Sequence, residues 1–112
     1  MGTNYDLFIN GDWVEAPNQE RFPAINPFTR SEWASIPQAS EQQVIDAIKA
    51  ARHAFETTWS GTSGKERARL LHKLADLMEA NAPRMALLES TDNGKVIRET
   101  ESQMHFAARQ YR

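Results

Sequence analysis

SEWASIPQASEQQVIDAIKAARHAFET, residues 31–57, changes character at its middle. Residues 31–38 read as extended chain punctuated by Trp33 and Ile36, with Pro37 where no ladder hydrogen bond can be donated. Ser40 then has the chemistry of a helix N-cap, and Gln43, three residues on, completes a capping box. Val44, Ile48, Ala51 and Phe55 follow at steps of four, three and four, the spacing of one helix face. A strand that hands over to a helix within one capped boundary makes the chain α+β.

Upstream, RFPAIN (21–26) reads as extended and PFTR (27–30) as its turn, so residues 21–38 form a hairpin. An earlier hairpin lies in DLFINGDWVEA (6–16), where Asn10-Gly11 interrupts an apolar alternation. A type I′ turn needs positive φ at both central residues, and Asn-Gly supplies it at low cost. Pro23 and Pro37 require edge or frayed positions.

Downstream, WSGTSGKE (59–66) ends the first helix, and Ser63 with Glu66 predicts a second capping box. Leu70, Leu71, Leu74, Leu77 and Met78 predict the inward face of a second helix, which breaks between Asn81 and Pro83. A short third helix spans about residues 83–91, and Asp92-Asn93-Gly94 forms the turn after it. Asn93 and Gly94 are expected to end that helix through a positive-φ cap, with Asp92 capping it or accepting backbone amides. The fourth helix carries Ile97, Met104, Ala108 and Tyr111 on one stripe. That stripe meets no Gly, Asn or Pro before Arg112, which reads as a helix cut in mid-pattern. Two hairpins (1–39) followed by a helical portion of four helices (40–112) is the expected organisation.

Composition limits the function. Of 112 residues, 40% are apolar, but 15 are Ala, and Leu, Ile, Val and Phe together number 21. The core should be thin and in want of a partner surface, while a net charge of −2 argues against disorder. With no Cys there is no disulfide, no thiolate nucleophile and no thiolate metal site. The opening residues are polar and unlike a signal peptide, and no apolar run is long enough to span a membrane; a cytoplasmic location is expected.

His53, His72 and His105 lack the i, i+4 spacing that sets two imidazoles on one metal. Lys65, Arg69, His72 and Lys73 share a face of the second helix with Arg67 nearby, but 15 acids outnumber 13 bases, against the positive excess nucleic acid demands. There is no GxGxxG and no phosphate-cradling glycine run. The residues themselves assign no catalytic or cofactor-binding group.

The order of five blocks says more than any one of them. LFINGDWVEA (7–16), FPAINPFTRSEWASIPQAS (22–40), VIDAIKAARHAFETTWS (44–60), KERARLLHKLADLMEAN (65–81) and ALLESTDNGK (86–95) together resemble the N-terminal part of an NAD(P)-dependent aldehyde dehydrogenase. Two positions depart from the family pattern: Arg30 stands where Gly usually follows NPxT, and Trp33 replaces a small aliphatic residue.

The resemblance implies an α/β enzyme that oxidises an aldehyde to a carboxylic acid. A Cys thiolate attacks the aldehyde, hydride passes to NAD or NADP, and a Glu-activated water releases the acid. Without Cys, the 112 residues alone are expected to be inactive scaffold, packing on a dinucleotide-binding domain that they do not include. The resemblance also implies a homo-oligomer, dimer or tetramer, and a structural Na⁺ or K⁺ near the Asp92 turn. Its ligands would be the Asp92 carboxylate and the Ile25 backbone carbonyl, hard oxygen donors suited to such an ion. By position, Phe106 on the last helix would face the substrate passage or else serve the core. The alternative from another class is a short interaction module that binds another subunit through its helix faces.

Overall fold

The computed structural model describes residues 3–112, Gln19 by its backbone alone; Met1 and Gly2, at the start of the stretch read for a leader, lie outside the described residues. The elements are β1 (Thr3–Asn4), β2 (Leu7–Ile9), β3 (Asp12–Val14), β4 (Arg21–Ile25) and β5 (Glu32–Pro37), then α1 (Glu41–Thr57), α2 (Gly64–Ala80), α3 (Ala82–Asn93) and α4 (Ile97–Gln110). Both hairpins and all four helices stand where the sequence predicts them. Packing divides the chain into two compact units, one of residues 1–25 and 31–61, the other of residues 26–30 and 62–112. The division drawn after residue 39 follows the change from strand to helix; packing instead groups α1 with the strands.

In the first unit β2 and β3 pair antiparallel, with Ile9 opposite Asp12. Asn10 (φ 55°) and Gly11 (φ 92°) both adopt the positive φ that a type I′ turn requires. The other sheet runs β1-β5-β4. Its antiparallel pair is the second hairpin, with a register shift at Ala24 and Ile25. Pro23 lies in edge strand β4, and Pro37 is the last residue of β5. The parallel partner β1 was not foreseen, since two residues carry no pattern. Arg21 secures it: Nε donates to Ser35 Oγ at 2.9 Å, and Nη2 donates to the carbonyls of Ser35 and Tyr5.

Ser40 caps α1 as predicted, with both bonds of the capping box present. The predicted apolar face of α1 is not buried. Val44, Ile48 and Phe55 are exposed, and no residue of the helix is fully buried. Ala51 of that face, with Ala47, Ala50 and Ala54, lines a shallow groove with Phe8 and Ile9 of the first hairpin.

In the second unit α3 packs on α4, and α4 on α2. Ser63 accepts from the Glu66 amide at 3.2 Å, but only that half of the expected box forms. The Glu66 carboxylate is taken by Arg69, with contacts from 2.6 to 3.0 Å. Pro83 sits in the first turn of α3, where its missing N–H costs nothing. The expected inward face of α2 is corrected: Leu70, Leu71, Leu74 and Leu77 are all exposed, and Ala75 is the buried residue. Of the α4 stripe only Ala108 is buried; Ile97 and Tyr111 are exposed. Among the described residues, the buried apolar side chains are Pro37 and the alanines 16, 34, 75, 82, 86 and 108. Among the described residues, no helix is long and apolar enough to cross a membrane.

Candidate functional site

The α3–α4 turn brings together more polar contacts than its sequence promised. Gly94 (φ 77°) is the left-handed C-cap of α3, and its N–H donates to the Ser90 carbonyl at 3.0 Å. Only glycine fits: a Cβ here would lie 2.9 Å from Pro27 Cγ, in the turn at residues 26–30. That turn is built by Asn26, whose Oδ1 accepts from the amides of Phe28 (2.9 Å) and Thr29 (3.2 Å). It closes with Arg30 N–H donating to the Asn26 carbonyl at 2.8 Å.

The amide-accepting role expected of Asp92 belongs to its neighbour. Asn93 Oδ1 accepts from the Lys95 amide at 2.9 Å, and Asn93 Nδ2 donates to Glu89 at 3.3 Å. The Lys95 ammonium donates to Glu89 at 2.7 Å and to Gln103 at 3.2 Å, joining α3 to α4 across the turn. The Lys95 hydrogen bond and charge hold the Glu89 carboxyl below its usual pKa.

Beneath the turn lies Thr100, the largest fully buried side chain among the described residues. Its hydroxyl is within reach of Ser90 Oγ (2.8 Å) and the carbonyls of Ile97 (2.9 Å) and Ala86 (3.2 Å). With one proton, Thr100 can donate to a carbonyl while accepting from Ser90, which satisfies the buried oxygen. Nothing in the sequence singled out Thr100 or Lys95, because both depend on pairing two helices.

Asp92 is exposed in the last turn of α3, and among the described residues its carboxylate has no hydrogen-bond or ion-pair partner. A carboxylate so placed is free to accept a cation. Ile25 ends β4 at the register shift, in the first unit. Phe106 on α4 is 56% exposed, with the Arg109 guanidinium 5.9 Å from its ring centre; it does not serve the core of these residues. Among the described residues no three His, Asp or Glu side chains gather as a metal site. On the basic face of α2, Arg69 is paired with Glu66, and Arg67 donates to the Thr62 carbonyl.

The groove beside α1 lacks the groups that hold a dinucleotide. It measures about 370 Å³, is lined by Phe8, Ile9, Asn10, Gly11 and four alanines, and offers no cationic side chain for a pyrophosphate.

Comparison with known proteins explains this architecture. The sequence profile of the aldehyde dehydrogenase family matches residues 13–112. The chain is 48% identical over 109 residues to (Z)-2-((N-methylformamido)methylene)-5-hydroxybutyrolactone dehydrogenase of Acinetobacter baylyi, covering 96% of this chain and 22% of that protein. It superposes on the NAD-dependent aldehyde dehydrogenase of Sinorhizobium meliloti with a TM-score of 0.93 at 32% identity, covering 99% of this chain and 22% of the other. For the NAD⁺ complex of the Bacillus cereus aldehyde dehydrogenase the values are 0.92 and 37%, covering 97% and 23%. The chain thus spans about a fifth of the length of these relatives. The chain belongs to the aldehyde dehydrogenase family.

Proposed function

We propose that these residues are the N-terminal scaffold of an enzyme that oxidises an aldehyde to a carboxylic acid with NAD or NADP. The observation that carries this reading is the match of both hairpins and all four helices, in order, to one family. The same match disfavours a free-standing interaction module. The scaffold has no Cys to attack the aldehyde, and its groove beside α1 offers a pyrophosphate no cationic side chain. Its contribution is to present helix faces to the dinucleotide-binding part of the enzyme, which we place in the cytoplasm as a dimer or tetramer.

The test is an absorbance assay for aldehyde-dependent NAD(P)H formation. The whole enzyme should be active and the 112-residue chain inactive. Turnover by the short chain, or none by the whole enzyme over a broad aldehyde panel, would sink the proposal.

Within that enzyme, Asp92 and the Ile25 carbonyl would hold a Na⁺ or K⁺, and Phe106 would line the route by which the aldehyde enters. The unpartnered Asp92 carboxylate supports the cation role. Adding K⁺ should raise the melting temperature of the whole enzyme, and Asp92→Ala should abolish that rise. An unchanged K⁺ response in the variant would remove Asp92 from the site.

A further inference from the structure

The sequence contains the dipeptide Asn-Gly twice, at Asn10-Gly11 and at Asn93-Gly94, and the fold treats the two differently. We propose that Asn10 is a site of spontaneous deamidation, whereas the fold holds Asn93 shut.

The chemistry needs only water. The Gly11 backbone nitrogen loses its proton to base and attacks Asn10 Cγ. A new C–N bond forms to the backbone nitrogen, and the bond to the side-chain nitrogen breaks, releasing ammonia. Water then opens the cyclic imide at either carbonyl and leaves aspartate or its β-linked isomer. Nothing is oxidised or reduced. A glycine after asparagine speeds the attack, because it carries no side chain to shield its nitrogen.

Three observations separate the sites. The nucleophile at Gly94 is occupied, its N–H donated to the Ser90 carbonyl at 3.0 Å, whereas the Gly11 N–H has no partner among the described residues. The electrophile at Asn93 is tied at both ends, Oδ1 to the Lys95 amide and Nδ2 to Glu89, whereas the Asn10 carboxamide makes no hydrogen bond among the described residues. The third difference is space. A Cβ on Gly94 would meet Pro27 Cγ at 2.9 Å, while nothing lies within 4 Å of one on Gly11. Asn93 must therefore open its cap before it can react, and that step adds directly to its barrier.

The product would change the first hairpin. Either isomer adds one negative charge to a formal net charge of −2, and the β-linked form lengthens the backbone inside a two-residue turn. The β2–β3 register depends on that turn.

The experiment ages the chain in mildly alkaline buffer, folded and in urea, and follows both sites by peptide mass mapping with fragment ions to place the mass gain. When folded, Asn10 should convert at least about tenfold faster than Asn93. In urea, where both are bare Asn-Gly, the two rates should converge. Equal rates in the folded chain, faster conversion at Asn93, or a contrast that survives in urea would each overturn the proposal.

Discussion

Arg30 and Trp33, which the resemblance marked as unusual, both sit in locally unfavourable settings. Arg30 has φ 58°, the left-handed region where a Cβ is crowded and glycine is not. Relief of that strain, set against the extra backbone freedom glycine gains when unfolded, should make Arg30→Gly more stable by about 0.5–1 kcal/mol. Urea denaturation with Arg30→Ala as control checks this, since Ala keeps the Cβ and should give no gain. Trp33 buries its Nε1–H without a partner among the described residues, and its ring meets Tyr5 edge-on at 6.3 Å. An unpaired buried donor costs about 1–3 kcal/mol, offset in part by the area the indole buries. Gly94 is the opposite case, a residue whose absence of Cβ is required twice. Gly94→Ala combines strain at φ 77° with an approach to Pro27 too close for real atoms, and should destabilise by about 2 kcal/mol or more. Gly11→Ala, with open space around it, should cost clearly less in the same denaturation series. Equal losses would show that Pro27 yields.

Between elements, the helices are joined by carboxylate–cation pairs on the surface. Arg112 donates to Glu79 at 2.6 and 3.0 Å and to Asp76 at 2.8 Å, tying the end of the chain to α2. Lys95, in the turn between α3 and α4, pairs with Glu89 of α3 and donates to Gln103 of α4. Hydrogen bonds from Arg69, Arg112 and Lys95 hold Glu66, Glu79 and Glu89 below the usual carboxylate value of 4.5. A lowered folded value means stability that is present above pH 4.5 and lost as pH falls through the lowered value. The melting temperature should therefore hold from neutral pH to about 5 and fall below that. Because these groups are exposed, added salt should flatten the fall. A melting temperature that rises on acidification would contradict the assignment.

At the scale of the whole molecule, the chain has amphipathic helices but a core of alanines. Ile48, Leu77 and Leu87 are 64%, 54% and 61% exposed, and together with the other leucines of α2 they leave apolar helix faces in water. Large apolar patches are uncommon on stable monomers. The isolated chain should self-associate with rising concentration in sedimentation velocity and bind a hydrophobic dye. A compact monomer at every concentration, without dye binding, would contradict the scaffold reading.

The sequence by itself determined the elements and their ends. The Ser40 box, the Asn10-Gly11 turn, the Pro23 edge strand and the Gly94 cap were all legible, because each rests on bonds or dihedrals spanning a few residues. The site was legible only in part. Asn and Asp share the same capping chemistry, so sequence could not tell that Asn93, and not Asp92, would take the Lys95 amide. Tertiary structure alone decided that the alanines of α1 share a groove with the first hairpin, that Thr100 is buried under the α3–α4 turn, that β1 joins β5 in parallel, and that Pro27 lies against Gly94. These depend on contacts between residues far apart in the chain. Such contacts are selected by the shape and closeness of paired surfaces, which no local pattern encodes.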